Sequence, residues 1–384
     1  MTLQSRILEA AKTFDAWAGI PLARRLAGRR RSLPTQVDDA LLVRLWGLGN
    51  LTLLAPVLQA NRDRRLRLLT LTANVSFVRH HFPHVEVLPL PAPQRAGFAP
   101  AVLAACRALR RQPPDVVVDL EQFLRLPLVL LRQACQAPIV GVDTPGQERR
   151  PLLDVSLPED PTRHAADTFA DLCREAGLRT PRGPGGLRVT DAAVRRMAAL
   201  LPRGPGPLVL VHPGTGDHAL ARRWPAERFG RLAAHLQQTL DARIVVTGVH
   251  RERPLSRALL DHARPGAQDL TGELDVATWA ACLAAADLLV TGDTGPLHMA
   301  DALGTRSVAL YGPASPLRYG PRLPGSRALY ADLPCSPCLD ERSMKRTDCR
   351  HFACMQALDV ASVARACGEV LGTPAREPAR ATRC

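Results

Sequence analysis

A strand-then-helix alternation that runs, stops and restarts is the feature that most constrains this chain. Apolar runs at Leu41–Leu45, Leu66–Thr72, Val85–Leu88, Val116–Asp119 and Pro138–Val142 are separated by helix-like segments near residues 51–61, 99–111 and 122–134. That order predicts a parallel, doubly wound sheet covered by helices. The stretch from Thr180 to Pro207, punctuated by TPRGPGG and PRGPGP, interrupts the pattern and marks a domain boundary. The alternation resumes at Leu208–His212, Arg243–Thr247, Asp287–Thr291 and Ser307–Tyr311, and Phe229, Leu232, Leu236 and Leu240 give the first helix of this half one apolar face. A chain of 384 residues suits two cores better than one. The reading is therefore α/β, with two Rossmann-like doubly wound domains, 34–200 and 201–384, facing a cleft. Ligands bind beyond the carboxyl ends of such strands. Residues 1–33 form a basic helical extension, with Leu3, Ile7, Phe14 and Ile20 near helical spacing and Arg24, Arg25, Arg29, Arg30 and Arg31 following. It is expected to pack on a neighbouring domain or to touch an anionic leaflet.

Charge narrows the partners. The formal net charge is +14, and every basic residue except Lys12 and Lys345 is an arginine, the side chain suited to bidentate binding of phosphate and carboxylate. Aromatic residues make up only 4%, too few for the base-stacking platforms of single-stranded nucleic-acid binders, so no nucleic-acid partner is expected. No apolar run approaches the ~20 residues that span a bilayer. The N-terminus lacks a signal-peptide core, and the expectation is a soluble cytoplasmic protein, peripheral at most to the inner membrane.

Four segments carry chemistry. In LVLVHPGTG a buried strand breaks at Pro213–Gly216, where glycines let backbone amides approach a phosphate and Arg222 or Arg223 can add a charge-assisted fork. In DLLVTGDTGPLHMADALG a strand ends at Thr291 and turns through Gly292, Asp293, Thr294, Gly295 and Pro296 into a helix whose N-terminus is an anion site. His298 on its first turn either contacts a phosphate or sugar or only bonds to the turn. In LLVRLWGLGN a strand, a tight turn and a helix place Asn50 where a reactive group is expected, although an amide takes up no proton at neutral pH. Finally, CSPCLDERSMKRTDCRHFAC sets Cys335 and Cys338, then Cys349 and Cys354, as two knuckles with the spacing of a tetrahedral metal site. Iron and zinc both suit four sulfurs; four unligated thiols are the alternative.

The order HPGTG, RRWPAERF, VVTGVHRE and DLTGELDVATWAACLAAADLLVTGDTGPLHMADALGTRSVALYGP, across about residues 40–365, resembles the glycosyltransferase family that contains the ADP-heptose:lipopolysaccharide heptosyltransferases. The resemblance implies a GT-B fold, a nucleotide-sugar donor held mainly by the C-terminal domain, and inverting transfer without a metal at the reaction centre. By that likeness Asp293, Thr294, Gly295, Pro296, Leu297 and His298 hold the donor diphosphate with help from Thr215. Arg222 stands where the family often has a lysine, and Glu252 matches the acid that accepts the ribose hydroxyls. Asn50 replaces the aspartate that serves as general base. A positioned base is worth ~10²–10⁴-fold, so the search moves to the carboxylates beyond Val116–Val118: Glu121 or Asp119 is expected as base, with Asn50 orienting the acceptor. The cysteine cluster resembles a branch that includes autotransporter heptosyltransferases, in which it goes with iron and oligomerisation, so a structural iron or zinc and a homo-oligomer are expected. The function implied is transfer of a heptose or related sugar, with ADP-heptose the expected donor, to a lipopolysaccharide core or other cell-surface acceptor. The alternatives are an autotransporter protein as acceptor, or a nucleotide-sugar-binding protein whose catalysis is impaired.

Overall fold

Both sheets expected from the alternation are present in the computed structural model, which describes residues 13, 15, 17, 19, 21, 23, 25, 30–93, 95–216, 220–343 and 345–372. The first sheet contains β1 (Asp39–Val43), β2 (Arg65–Leu71), β3 (Val85–Leu90), β4 (Val116–Asp119), β5 (Ile139–Asp143) and β6 (Val155–Pro158). All its pairings are parallel, in the order β3-β2-β1-β4-β5-β6. The second contains β7 (Leu208–His212), β8 (Arg243–Val246), β9 (Gln268–Asp269), β10 (Leu288–Gly292), β11 (Ser307–Tyr311) and β12 (Arg327–Tyr330). It repeats the plan as β12-β11-β10-β7-β8-β9, again wholly parallel.

The winding fixes where a ligand can sit. In each sheet the strand order reverses beside the first strand, between β1 and β4 and between β7 and β10, and that reversal opens a crevice at the carboxyl ends. The strands at the reversal are buried on both faces, as their uninterrupted apolar runs require. β6, β9 and β12 were not evident in the sequence. They are edge strands of two to four residues with partly exposed side chains, too short to show a period.

The boundary differs from the one expected. The chain divides into an N-terminal unit of residues 1–182 with Asp340–Arg346, and a C-terminal unit of residues 183–339 with 347–384. The helix Asp191–Leu200, assigned from sequence to the first domain, therefore belongs to the second. Arg196 pairs with Asp275 at 3.3 Å, and the Leu200 carbonyl accepts from Gln268 Nε2 at 2.8 Å. Asp340–Arg346, between the two cysteine pairs, is moored in the N-terminal unit. Arg342 meets the buried Glu159 at 3.2 Å, Gln147 Nε2 donates to the Arg342 carbonyl at 3.1 Å, and Arg346 donates to Thr13 at 2.9 Å.

Of the N-terminal extension, the alternate residues described from Thr13 to Arg25 are helical, and Ala23 joins the core of the first sheet. Leu3, Ile7, Phe14, Ile20, Arg24 and Arg29 lie outside the described residues. Asp15 is buried and caps the helix Leu126–Ala134 from a distance in sequence. Its carboxylate accepts from the amides of Arg125 (2.9 Å) and Leu126 (2.6 Å) and from Arg125 Nη1 (3.0 Å). This helix starts four residues later than expected, because 122–125 are held in an irregular connection. Among the described residues no helix is long and apolar enough to cross a membrane.

Candidate active site

In the C-terminal unit, the turns after β7 and β10 lie side by side because His212 and Thr291 are paired residues of adjacent strands. Thr291 Oγ1 donates to the His212 carbonyl at 3.0 Å. The next residue, Gly292, is closely bordered: an added Cβ would stand 3.2 Å from the Arg222 carbonyl and 3.6 Å from Thr215 Cγ2. So Thr215, Arg222 and the Gly292–Thr294 turn are brought together.

Thr294 is the N-cap residue of the helix Gly295–Leu303, with extended backbone and no side-chain cap bond. Pro296 sits in the first turn, where a missing N–H costs nothing. The helix dipole and the free amides of that end favour an anion. Arg222 Nη1 pairs with Asp293 Oδ2 at 3.1 Å and stays a fifth exposed, so its guanidinium is anchored yet reachable. Leu297 is different: it is fully buried and its N–H is spent on the Thr294 carbonyl at 3.1 Å. His298 is buried, with its ring 6.3 Å from that of Tyr319. Burial, with Asp293 and Asp301 nearby, pushes the Tyr311 hydroxyl well above its ordinary range, and it donates to the Tyr319 carbonyl at 2.5 Å.

Glu252 follows β8 and is buried rather than surface-exposed. One oxygen accepts from the Gly216 amide at 3.3 Å and the other from the Val249 amide at 2.9 Å. His212 was not singled out from sequence. Burial holds its imidazole below the usual range, against an opposing pull from Glu252.

In the N-terminal unit the corresponding reversal, where Val43 is paired with Asp119, gathers Asn50, Asp119 and Glu121 near the carboxyl ends of β1 and β4. Gly47 has φ +82, a conformation costly for any residue with a Cβ, and an added Cβ would also meet Asn50 Nδ2 at 2.9 Å. This turn starts the short helix Leu48–Leu53, on which Asn50 is half-buried.

Neither carboxylate is solvated. Asp119 is ion-paired to Arg149 at 2.5 Å and its second oxygen accepts from the Glu121 amide at 3.2 Å. It does not cap the following helix; Asp15 does that. Burial pushes the Asp119 carboxyl up to about 6, with Arg149 pulling it down and Glu121 pushing it up. Glu121 Oε1 accepts from the amides of Leu45 (2.8 Å) and Trp46 (3.4 Å), while Oε2 has no hydrogen bond and lies 3.6 Å from Arg44 Nη1. Arg44 also donates to the Leu120 carbonyl at 2.6 Å and lies over the Phe169 ring. Arg44, Arg149 and Asn74, which donates to the Leu45 carbonyl, were missed from sequence. Arg44 had a signal, since an arginine inside an apolar strand run needs a buried partner.

Cys335, Cys338, Cys349 and Cys354 line one cavity of ≈ 170 Å³ with Thr347 and His351. Thr347 Oγ1 donates to Cys338 Sγ at 3.4 Å, and Cys349 Sγ lies 3.8 Å from His351 Nε2. As the side chains stand, no group of three or more His, Cys, Asp or Glu among the described residues has the arrangement to hold a metal.

Comparison with known proteins bears on the family and the fold. The model of Glycosyltransferase family 9 (heptosyltransferase) matches residues 102–347. A curated relative, lipooligosaccharide heptosyltransferase 2 of Campylobacter jejuni subsp. jejuni serotype O:2, is 26% identical over 141 residues, 36% of this chain. That match spans only 43% of the relative's own length. The solved structure of E. coli ADP-heptose lps heptosyltransferase II superposes with TM-score 0.66 at 19% identity, covering 87% of this chain and 98% of that one. The dodecameric iron-containing heptosyltransferase TibC in complex with ADP-D-beta-D-heptose gives TM-score 0.54 at 14% identity, over 88% of this chain and 78% of that one. These two likenesses support the GT-B fold expected from the sequence, and the extent of the family match decides the assignment: the chain belongs to glycosyltransferase family 9, the heptosyltransferases.

Proposed function

We propose that this protein is an inverting glycosyltransferase that moves a heptose from ADP-heptose to a hydroxyl of a lipopolysaccharide-core or other cell-surface saccharide. The observation that carries the reading is the pairing of two phosphate-competent turns, Pro213–Gly216 and Thr291–His298, at the strand reversal of the C-terminal unit, with Arg222 anchored beside them. Amides at the Gly295–Leu303 helix N-terminus, with Thr215 and Arg222, take the diphosphate, whose growing charge in the transition state they stabilise. Remaining lone pairs of Glu252 take the ribose hydroxyls. Asp293 fixes Arg222, and His298 contacts the donor from the first helical turn.

In the reaction a carboxylate takes the acceptor proton, the acceptor oxygen attacks the anomeric carbon from the face opposite the diphosphate, and the bond to ADP breaks. Of the two candidates Glu121 is preferred as base, because both oxygens of Asp119 are engaged whereas Glu121 Oε2 accepts no hydrogen bond. Asn50 orients the acceptor. An autotransporter protein is the alternative acceptor, suggested by the cysteine pattern.

The four cysteines suit a structural iron or zinc: they are soft donors, they line one cavity, and TibC, of the same fold, is described as iron-containing. Bound there, the ion would brace the loop between the pairs; no step of the transfer passes through it. A homo-oligomer working in the cytoplasm, peripheral to the inner membrane, completes the reading.

One observation favours a second reading, a donor-binding protein without transfer: Asn50 replaces the acid and both nearby carboxylates are fully buried. Incubating purified protein with ADP-, UDP- and GDP-sugars and acceptor extracts separates the two. ADP release that depends on ADP-heptose and acceptor together is expected. Donor binding without any release would establish the second reading instead.

A further inference from the structure

We propose that Glu252 and His212 form a buried clamp that joins the turn after β7 to the turn after β8 and holds the Gly214 and Thr215 amides in position to donate to a phosphate. Glu252 is the centre of it. Its two oxygens accept from amides of different turns, Gly216 at 3.3 Å and Val249 at 2.9 Å. The carboxylate fills the space that a side chain at position 214 would need: a Cβ on Gly214 would stand 2.1 Å from Oε1, and one on Gly248 3.1 Å from Oε2. So a side chain at 214 would displace the carboxylate from this position, a constraint of space and not of backbone angle.

His212 ties this carboxylate to the sheet. Its Nε2 lies 4.0 Å from Glu252 Oε2, its Nδ1 3.3 Å from Thr247 Oγ1 at the end of β8, and its carbonyl accepts from Thr291 of β10. Trp279 covers the ring at 6.1 Å. The ring thus links Glu252 to Thr247 at the end of β8, while the backbone carbonyl of the same residue holds β10, and among the described residues Glu252 is the charged group that acts on the ring. A carboxylate offers about four lone-pair sites. Bracing two turns uses two of them, so the role is separate from any contact with a ribose. Glu252 and His212 are in this sense positioning residues, acting on a ligand through the amides they fix.

The inference relies on the donor reading only for where ADP binds, and the test separates the two. Full-length Glu252→Gln, Glu252→Ala, Gly214→Ala and the Gly214→Ala/Glu252→Ala double variant are compared in two measurements. Hydrogen exchange of the 213–216 and 247–252 segments, without ligand, should rise in both segments in Glu252→Ala and in only one of them in Glu252→Gln, which keeps one acceptor oxygen. ADP affinity should fall about tenfold, ~1.4 kcal/mol, in Glu252→Ala and in Gly214→Ala. The double variant should bind no more weakly than Glu252→Ala, since the added methyl clashes only with the carboxylate. Unchanged exchange in Glu252→Ala, or additive losses in the double variant, would overturn the clamp. Failure of wild-type protein to bind ADP would count against the donor reading and leave the exchange result to judge the clamp alone.

Discussion

Two positions separate Asp119 from Glu121, yet their surroundings give them different work. Both are ion-paired, Asp119 to Arg149 and Glu121 to Arg44, but Asp119 has both oxygens hydrogen-bonded whereas Glu121 keeps one oxygen without a hydrogen bond beside the Asn50 turn. Replacing Glu121 by Gln should lower transfer by ~10²–10⁴-fold while ADP affinity is retained; unchanged turnover would remove it as base. Asp119 instead contributes to the pH dependence, as does Asp301, which burial also raises to about 6. The Asp119 pKa is raised from 3.8 to about 6, so the folded state holds a proton that the unfolded state has lost. The associated stability is present below the unfolded value and is lost as pH rises through about 6, amounting to about 3 kcal/mol at most. Denaturation midpoints should therefore fall between pH 4 and 6.5, and Asp119→Asn should lessen that fall, Asp301 keeping the rest, while costing stability by leaving Arg149 without its carboxylate. An equal slope in the variant would show that other groups carry the dependence. The sequence showed these carboxylates at a strand end but not their state, because Arg44 and Arg149 meet them only through the sheet register.

At the scale of elements, the buried strands and the two reversal points were legible because parallel strands covered on both faces read as unbroken apolar runs. What failed was local where tertiary contacts decide. Residues 122–125 look helical, but Glu121 is pulled to the Leu45 amide and the helix begins only where Asp15 caps it. Nothing in the spacing of Asp15 announces a role 111 residues away. Asp15→Ala would orphan two helix amides and leave the buried Arg125 guanidinium without its carboxylate, a loss of about 3–5 kcal/mol. Chemical denaturation should show it with the far-UV helix signal retained at zero denaturant. A change below about 0.5 kcal/mol, the range of ordinary surface substitutions, would mean that the Asp15 cap contributes nothing measurable to the N-terminal unit.

For the whole molecule the cysteine pairs matter through what lies between them. Ten residues separate Cys338 from Cys349, and seven of these, Asp340–Arg346, belong to the N-terminal unit although the cysteines belong to the other. The sequence showed the knuckles but not this excursion, since Arg342 and Arg346 look like solvated charges until Glu159 and Thr13 are placed beside them. A metal held by all four sulfurs would fix both ends of the loop and reduce the freedom it loses on docking. With metal bound, Arg342, Lys345 and Arg346 should resist trypsin. A strong chelator under reducing conditions should speed cleavage at these three sites more than elsewhere, and restored zinc or ferrous iron should slow it again. Cys338→Ser and Cys349→Ser proteins should be cut at the chelated rate before any chelator is added. Equal cleavage with and without metal, in protein shown by elemental analysis to have held one ion per chain, would mean that the cysteines do not control the loop, which would then be held by Arg342, Gln147 and Arg346 alone.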